Sequence, residues 1–472
     1  MRILVATDTY VPDVNGTAVF VYRLATDLVK AGHEVFVVAP GRHFRHEKHT
    51  DEAGVTVFGV PSFSVFNYPY FKFPTVFLSK RKLRKFVEEV NPDIIHLQQH
   101  FIIGREIRAI ARKKGIPVIA TNHFLPDNVL PFFPVPKILH GPIKKWGWGQ
   151  MLGVYGDVAV VTTPTATAAD IIEEIGFTSR VVPVSNGIDL TRFNPKNNGQ
   201  YLYKKYNIPH KKTVLYVGRL DKEKRVDLLI RALAVVRKRV DAQLVIVGVG
   251  SQLTNLKSLV LKLGLRNYVI FPGYLPNEDL QNVFKIGDVF VNAGIAELQC
   301  IAAMEAMASG LPVVAADYRA LPELVHHGEN GYLFHDNYRD LAKYLIKILV
   351  DDKLRKRMSN KSLEIISGHS VEKTVETYAM LYDRAILLYN EEQAAKVTRH
   401  VIKRVWIPAL VTAAIVLMVG AIFAFNSTSE IKAAPGEFIS RVNPRELAQR
   451  GINTVKSGFT QVENTIEEIK GN

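Results

Sequence analysis

Residues 296–312 read Ala-Glu-Leu-Gln-Cys-Ile-Ala-Ala-Met-Glu-Ala-Met-Ala-Ser-Gly-Leu-Pro, and the folding of this stretch decides how the rest is read. It follows the apolar run Asp288–Asn292, so Glu297 falls in a short loop after a strand. Glu305 falls inside the next helix, among small and apolar neighbours where an unpaired carboxylate is costly to bury. Gly310 and Pro312 close that helix in the usual order, and Val313–Ala316 resumes a buried strand. A helix beginning near Gln299 aims unpaired N–H groups and partial positive charge at any phosphate placed there. Two acids beside an anion-binding helix start suit a ligand with both hydroxyls and phosphates, such as a nucleotide sugar. The plainer alternative is one helix-start acid and one surface acid.

The same alternation of apolar runs and helical periodicity extends outward in both directions. Thr213–Val217, Gln243–Val247, Tyr268–Phe271, Val289–Asn292 and Val313–Ala315 read as strands of an open parallel sheet. An earlier series comprises Ile3–Thr7, Glu34–Ala39, Val55–Val60, Ile94–Leu97, Val118–Thr121 and Val158–Thr162. Between its first two members, Val21, Leu24, Ala25, Leu28 and Val29 mark one helical face. With no short tandem repeat, the pattern predicts an α/β chain with two Rossmann-like, doubly wound domains, residues 1–185 and 186–370. A helical stretch, 371–395, follows.

A chain of 472 residues with 47% hydrophobic content has room for more than one core. Its single cysteine, Cys300, excludes an internal disulfide framework and fits a reducing compartment. The opening Met1-Arg-Ile-Leu-Val-Ala-Thr reads as a strand, so no cleaved leader is expected. Net charge is +15, and the excess lies ahead of the last 47 residues, because 426–472 balances six basic against six acidic side chains. Such an excess favours phosphorylated or anionic-lipid partners, or is a solvated surface. Val405–Phe425 runs 21 residues without a charge, long enough to cross a bilayer. Lys396, Arg399, Lys403 and Arg404 precede it, which predicts a single-pass anchor with the catalytic part cytoplasmic and the tail 426–472 outside the cell membrane.

Several constellations bear chemistry. Val214–Lys224 runs from a strand into Gly218-Arg219 and then Lys224, two cations at a strand's carboxyl end, which suits a diphosphate. The loop Asp8–Thr17 lacks the dinucleotide glycine pattern and the Walker lysine, yet Gly16 permits a close backbone approach. Val247-Gly248-Val-Gly250 follows a strand without the third glycine or later acid of a dinucleotide site. His123 stands at another strand end, where it serves either structure or a ligand. No metal-binding motif is spelled, so no metal and no cofactor are expected beyond a nucleoside-diphosphate sugar as co-substrate. Two segments read as membrane-directed or as ordinary packed elements. Residues 79–90 place Leu83, Phe86, Val87 and Val90 on one helical face ringed by five cations, and 124–148 mixes prolines, aromatics and lysines.

Together, Asp8–Gly16, Ser185-Asn-Gly-Ile-Asp189, Gly218-Arg219 with Lys224, Leu244–Gly250 and Glu297–Glu305 occur in an order that resembles the family-4 glycosyltransferases. These are retaining enzymes of the GT-B fold, and the likeness runs from Met1 to about Leu388. The resemblance implies that Arg219 and Lys224 bind the diphosphate, that Glu305 holds the ribose and that Glu297 contacts the donor sugar. It further implies that Ile301 and Ala302 N–H groups, and Gly16 from the other domain, meet the phosphate, with His123 beside the sugar. Catalysis is then expected from His123, Arg219, Lys224 and Glu297, with the leaving phosphate helping to deprotonate the acceptor and no protein nucleophile. Cys300 stands where members usually carry glycine, as does Arg225, so Cys300 joins the expected donor-binding set.

These observations predict a membrane-anchored hexosyltransferase using a nucleotide sugar and a lipid acceptor of the diacylglycerol or phosphatidylinositol type, with no nucleic-acid partner. Polyprenyl-linked or polysaccharide acceptors form the alternative within the class. A catalytically weak nucleotide-sugar-binding membrane module is the alternative outside it.

Overall fold

The computed structural model describes residues 1–13, 15–65, 68–123, 137–177 and 181–401. Among them, eight strands form a first sheet in the order Val181–Pro183, Val160–Thr163, Val118–Thr121, Ile94–Leu97, Arg2–Ala6, Glu34–Pro40, Thr56–Val60, Glu47–Thr50. Neighbours are parallel except the last pair. Six further strands form an all-parallel second sheet in the order Val269–Gly273, Ala242–Val247, Lys212–Val217, Val289–Asn292, Val313–Ala316, Gly331–Phe334. Such strands are covered on both faces, so they read as continuous Val/Ile runs rather than alternating ones. Ile94–Leu97, Val118–Thr121 and Ala242–Val247 are buried at every position.

Helices supply the cover. Leu24, Ala25 and Leu28 of the helix Gly16–Lys30 pack on one face of the first sheet with Ile3, Val5, Val35 and Val37. The other face carries Leu83, Phe86 and Val87 of Val76–Val90 and Ile103, Ile107 and Ile110 of Ile102–Lys114. The helix beginning at Val371 returns to the first sheet and buries Val375, Tyr378, Tyr382 and Ala385 beside Ile3 and Ile119. Met1–Ile386 forms one compact unit.

Two sequence expectations change here. The apolar face of residues 79–90 is not a membrane surface: Leu83, Phe86, Val87 and Val90 are at most 3% exposed, and Phe86 stacks on Phe58 at 4.6 Å. The apolar periodicity belonged to the protein core, and the cations Lys80, Arg81, Lys82, Arg84 and Lys85 face solvent with Glu88 and Glu89. The aromatic run before it forms an antiparallel hairpin, Ser62–Val65 with Tyr68–Pro74. Of the other membrane-directed segment, 124–136 lies outside the described residues, and the rest forms the 3-10 turn Lys137–Leu139 and enters the helix His140–Tyr155. The apolar stretch Val405–Phe425 and the tail also lie outside them. No helix among the described residues is long and apolar enough to cross a membrane.

Candidate active site

In each sheet the first strand has later strands on both sides, which creates a crevice between carboxyl ends at that point. In the second sheet the switch lies between Lys212–Val217 and Val289–Asn292. Their loops carry Lys224 and Glu297, and the Lys224 Nζ donates to Glu297 Oε1 at 2.8 Å. Both side chains are largely shielded, at 18% and 12% exposed. Burial works against the Lys224 ammonium, but the neighbouring carboxylate outweighs it and holds the pKa above its ordinary value. Asn292 ends its strand with its amide donating to Glu297 Oε1 at 3.2 Å and to Cys300 Sγ at 3.0 Å. Its Oδ1 accepts from the Gly294 N–H at 2.7 Å, which fixes the loop's turn.

Arg219 shares the loop of Lys224 but not its pairing. Its guanidinium donates to Asp221 at 2.5 Å and Glu223 at 2.9 Å, and it is 58% exposed. The loop is braced from the adjacent strand end, where Leu220 N bonds Val249 O at 2.9 Å. Gly248 is required there: its φ is +132°, and a Cβ would lie 1.9 Å from the Gly218 carbonyl oxygen. Close packing of two loops, rather than a dinucleotide, explains this glycine. Arg225 adopts φ +52°, the left-handed region where glycine carries no penalty, and pairs with Asp336.

The helix Ile301–Ala308 begins two residues later than expected, with Cys300 as its N-cap. Ala303 and Met304 N–H groups both bond the Cys300 carbonyl at 3.1 Å. The N–H groups of Ile301 and Ala302 have no acceptor within the helix. Gln299 does not start the helix; it bridges to the first sheet's side, accepting from Asn186 N at 2.8 Å and donating to Ser185 Oγ at 3.0 Å. Burial raises the Cys300 thiol well above its ordinary range. Glu305 lies one turn further on, partly buried, where burial pushes its pKa up to about 7 against the pull of Arg192 and Arg23. Its carboxylate makes no hydrogen bond among the described residues.

Gly16 opens the helix Gly16–Lys30 behind the Asn15 cap, and among the described residues outside its own helix and chain neighbours no atom lies within 4 Å of where its Cβ would be. Asp8 is committed elsewhere: its carboxylate accepts from Ile103 N at 2.8 Å and caps the helix Ile102–Lys114. Burial raises its pKa to about 6 against those hydrogen bonds. His123 stands just beyond the strand Val118–Thr121, its Nε2 2.8 Å from Gln98 Oε1 and its ring 4.9 Å from that of Phe20. Burial lowers its pKa to about 3, so the imidazole is neutral at physiological pH.

The structure thus joins Lys224, Glu297, Cys300, Ile301 and Ala302 around one loop-and-helix start. Arg219 lies beside that group, bound to acids of its own loop. Asn292 and Gln98 were missed in the sequence, although each is a polar residue at the carboxyl end of a buried strand, which was the available signal. Arg23 and Arg192 near Glu305 left no sequence trace, since they meet it only through folding. Contacts across the crevice include Thr165 Oγ1 to the Leu298 carbonyl at 2.9 Å. Glu323 accepts from the N–H groups of Ala166 and Thr167, the first turn of Ala166–Glu174, at 3.0 and 2.7 Å.

Comparison with known proteins gives two family matches. Residues 14–192 match the model for Glycosyltransferase Family 4, and residues 202–364 match that for Glycosyl transferases group 1. The chain is 29% identical over 397 residues to the alpha-monoglucosyldiacylglycerol synthase of Streptococcus pneumoniae, covering 80% of this chain and 85% of that protein. It is 30% identical over 340 residues to the GDP-mannose-dependent alpha-mannosyltransferase of Mycobacterium tuberculosis, covering 71% and 83%. Among solved structures, sucrose-phosphate synthase from Thermosynechococcus elongatus superposes with a TM-score of 0.68 at 19% identity, covering 82% of this chain and 99% of that one.

Proposed function

The chain belongs to the family-4 glycosyltransferases, retaining enzymes of the GT-B fold, and from that premise we propose that it moves a hexose from a nucleoside diphosphate to a lipid hydroxyl at a membrane. The observation that carries this reading is the Lys224–Glu297 pair at 2.8 Å, at the switch point and beside the open first turn of Ile301–Ala308. A donor diphosphate entering there exchanges with Glu297 for Lys224 and meets the N–H groups of Ile301 and Ala302. Arg219 turns from Asp221 and Glu223 to the same phosphates. Each group is in place before charge develops on the leaving diphosphate, so little reorganisation is needed at the transition state. Glu297, released from Lys224, accepts from sugar hydroxyls. Glu305 accepts from the ribose, while Gly16 and His123 approach from the first sheet.

The lipid acceptor is supported by the S. pneumoniae relative and by the surface near the hairpin. Phe63 and Phe73 pack at 5.4 Å and remain half exposed, while Phe77 and Leu78 at the next helix start are 68% and 61% exposed. Five cations at 80–85 follow on the same helix. Ile138, Leu139 and Trp146 are exposed on the other element expected to face the bilayer. Aromatic and aliphatic tips beside cations suit an anionic lipid surface. In this reading Val405–Phe425 anchors the chain, with the sheets on the cytoplasmic side and the tail outside.

A GDP-mannose donor is a second reading, favoured by the M. tuberculosis relative. The test is the full-length protein in phospholipid vesicles, supplied with UDP-glucose or GDP-mannose and with diacylglycerol or phosphatidylinositol. Donor-dependent glycolipid, absent in Glu305→Ala, is expected. Donor binding without turnover on every lipid would instead identify a binding module.

A further inference from the structure

We propose that Gln98 is a positioning residue for His123, holding the imidazole with its proton on Nε2 and its Nδ1 lone pair ready to accept a hydrogen bond from a substrate hydroxyl. The proposal rests on the reading of His123 as a site residue. Gln98 and His123 follow neighbouring parallel strands, Ile94–Leu97 and Val118–Thr121, at their carboxyl ends. The Gln98 side chain is completely buried between two imidazoles. Its Oε1 lies 2.8 Å from His123 Nε2, and its Nε2 lies 3.1 Å from His96 Nε2.

A primary amide offers an acceptor at one end and donors at the other, so it imposes opposite roles on the two rings it joins. The acceptor end requires an N–H at His123 Nε2. The donor end requires a lone pair at His96 Nε2, which places the His96 proton on Nδ1. That nitrogen is 2.9 Å from the Tyr382 hydroxyl oxygen, an available acceptor. The Thr121 hydroxyl, 2.6 Å from His96 Nε2, is held in turn by Thr162 at 2.6 Å and Tyr378 at 3.2 Å. Tyr378 and Tyr382 belong to the helix that returns to the first sheet after Val371. The network is therefore anchored at its far end by buried side chains. Burial keeps both imidazoles neutral, with pKa values lowered to about 3, so each carries one proton and the tautomer is a real choice.

The test combines a spectroscopic and a kinetic readout on the full-length protein in detergent micelles. With histidine ring nitrogens labelled with 15N, His123 is expected to show a protonated Nε2 and an unprotonated Nδ1. In Gln98→Leu those signals should average toward a mixture, and turnover should fall about 10- to 100-fold. Gln98→Glu keeps an acceptor for His123 and should retain the Nε2–H tautomer. In a His123→Ala background, Gln98→Leu should cost nothing further. A wild-type Nδ1–H tautomer, or fully additive losses in the double variant, would overturn the proposal. Unimpaired transfer by His123→Ala would overturn the parent reading of His123 instead, and the nitrogen spectrum would still decide the role of Gln98.

Discussion

The Lys224 ammonium and the Glu297 carboxylate meet at 2.8 Å across the two loops that flank the second sheet's switch point. Each loop follows a central strand, so neither can move far without disturbing a fully packed sheet. The pair keeps a shielded lysine charged and holds it where a diphosphate is expected. Replacing Lys224 by Met removes that charge and leaves Glu297 uncompensated. We expect kcat/KM for the donor to fall by about 100-fold or more, mostly in kcat. Steady-state kinetics at varied donor concentration checks this, and a near-normal kcat would remove Lys224 from the mechanism.

Glu305 gives a pH dependence with a definite sign. Its pKa rises from 4.5 in the free side chain to about 7 in the folded chain. Between those values the folded chain holds a proton that the unfolded chain has released. The group's stabilising contribution is therefore complete below about pH 4.5 and is lost as pH rises through 7. Glu305→Gln, which cannot ionise, should raise Tm at pH 8 and leave it nearly unchanged at pH 5. After allowance for solvent screening, the gain at pH 8 is on the order of 1–2 kcal/mol. If ribose hydroxyls bind the carboxylate, donor affinity should also weaken as pH falls below 7. Calorimetry across this range tests both parts.

Two residues on one helix separate surface function from packing. Leu83 is fully buried, whereas Phe77 is 68% exposed. Leu83→Ser should cost about 3 kcal/mol, by cavity formation and a buried hydroxyl. Phe77→Ser combined with Leu78→Ser should leave Tm within about 1 kcal/mol of the parent. The same pair should flatten the response of transfer rate to anionic lipid in vesicles. Equal losses of stability in both variants would mean that Phe77 and Leu78 are packed after all.

Glu323 ties the first turn of Ala166–Glu174 to the opposite side of the crevice through two N–H groups, at 3.0 and 2.7 Å. A carboxylate at a helix start gains from both hydrogen bonds and the helix dipole. Glu323→Ala should cost about 1–2 kcal/mol of closure and raise the donor KM. Small-angle scattering is expected to report a larger radius of gyration, which an unchanged curve would contradict.

Strand reading from sequence worked best for the central strands. Ile94–Leu97, Val118–Thr121 and Val289–Asn292 fall where their apolar runs predicted. Strands buried on both faces must be uniformly apolar, so they announce themselves. Edges did not: Glu47–Thr50 is polar and Gly331–Phe334 opens on a glycine with no β-branched residue, and each is a strand because of the neighbour it pairs with. The apolar stripe on 79–90 was also ambiguous, since a core face and a membrane face share the same periodicity.

Residue order alone determined the alternating α/β pattern, the family resemblance and the acids and cations that end the strands. Those features are local, set by side-chain polarity and by spacing along the chain. Tertiary structure decided which of them meet. It paired Lys224 with Glu297 across 73 positions while turning Arg219 toward its own loop. It also set Gln98 between His96 and His123, and surrounded Glu305 with Arg23 and Arg192. The lysine–glutamate pair depends on strand order within the second sheet, and the histidine network also on the helix that returns from the end of the second half, and neither is written in any single stretch of sequence.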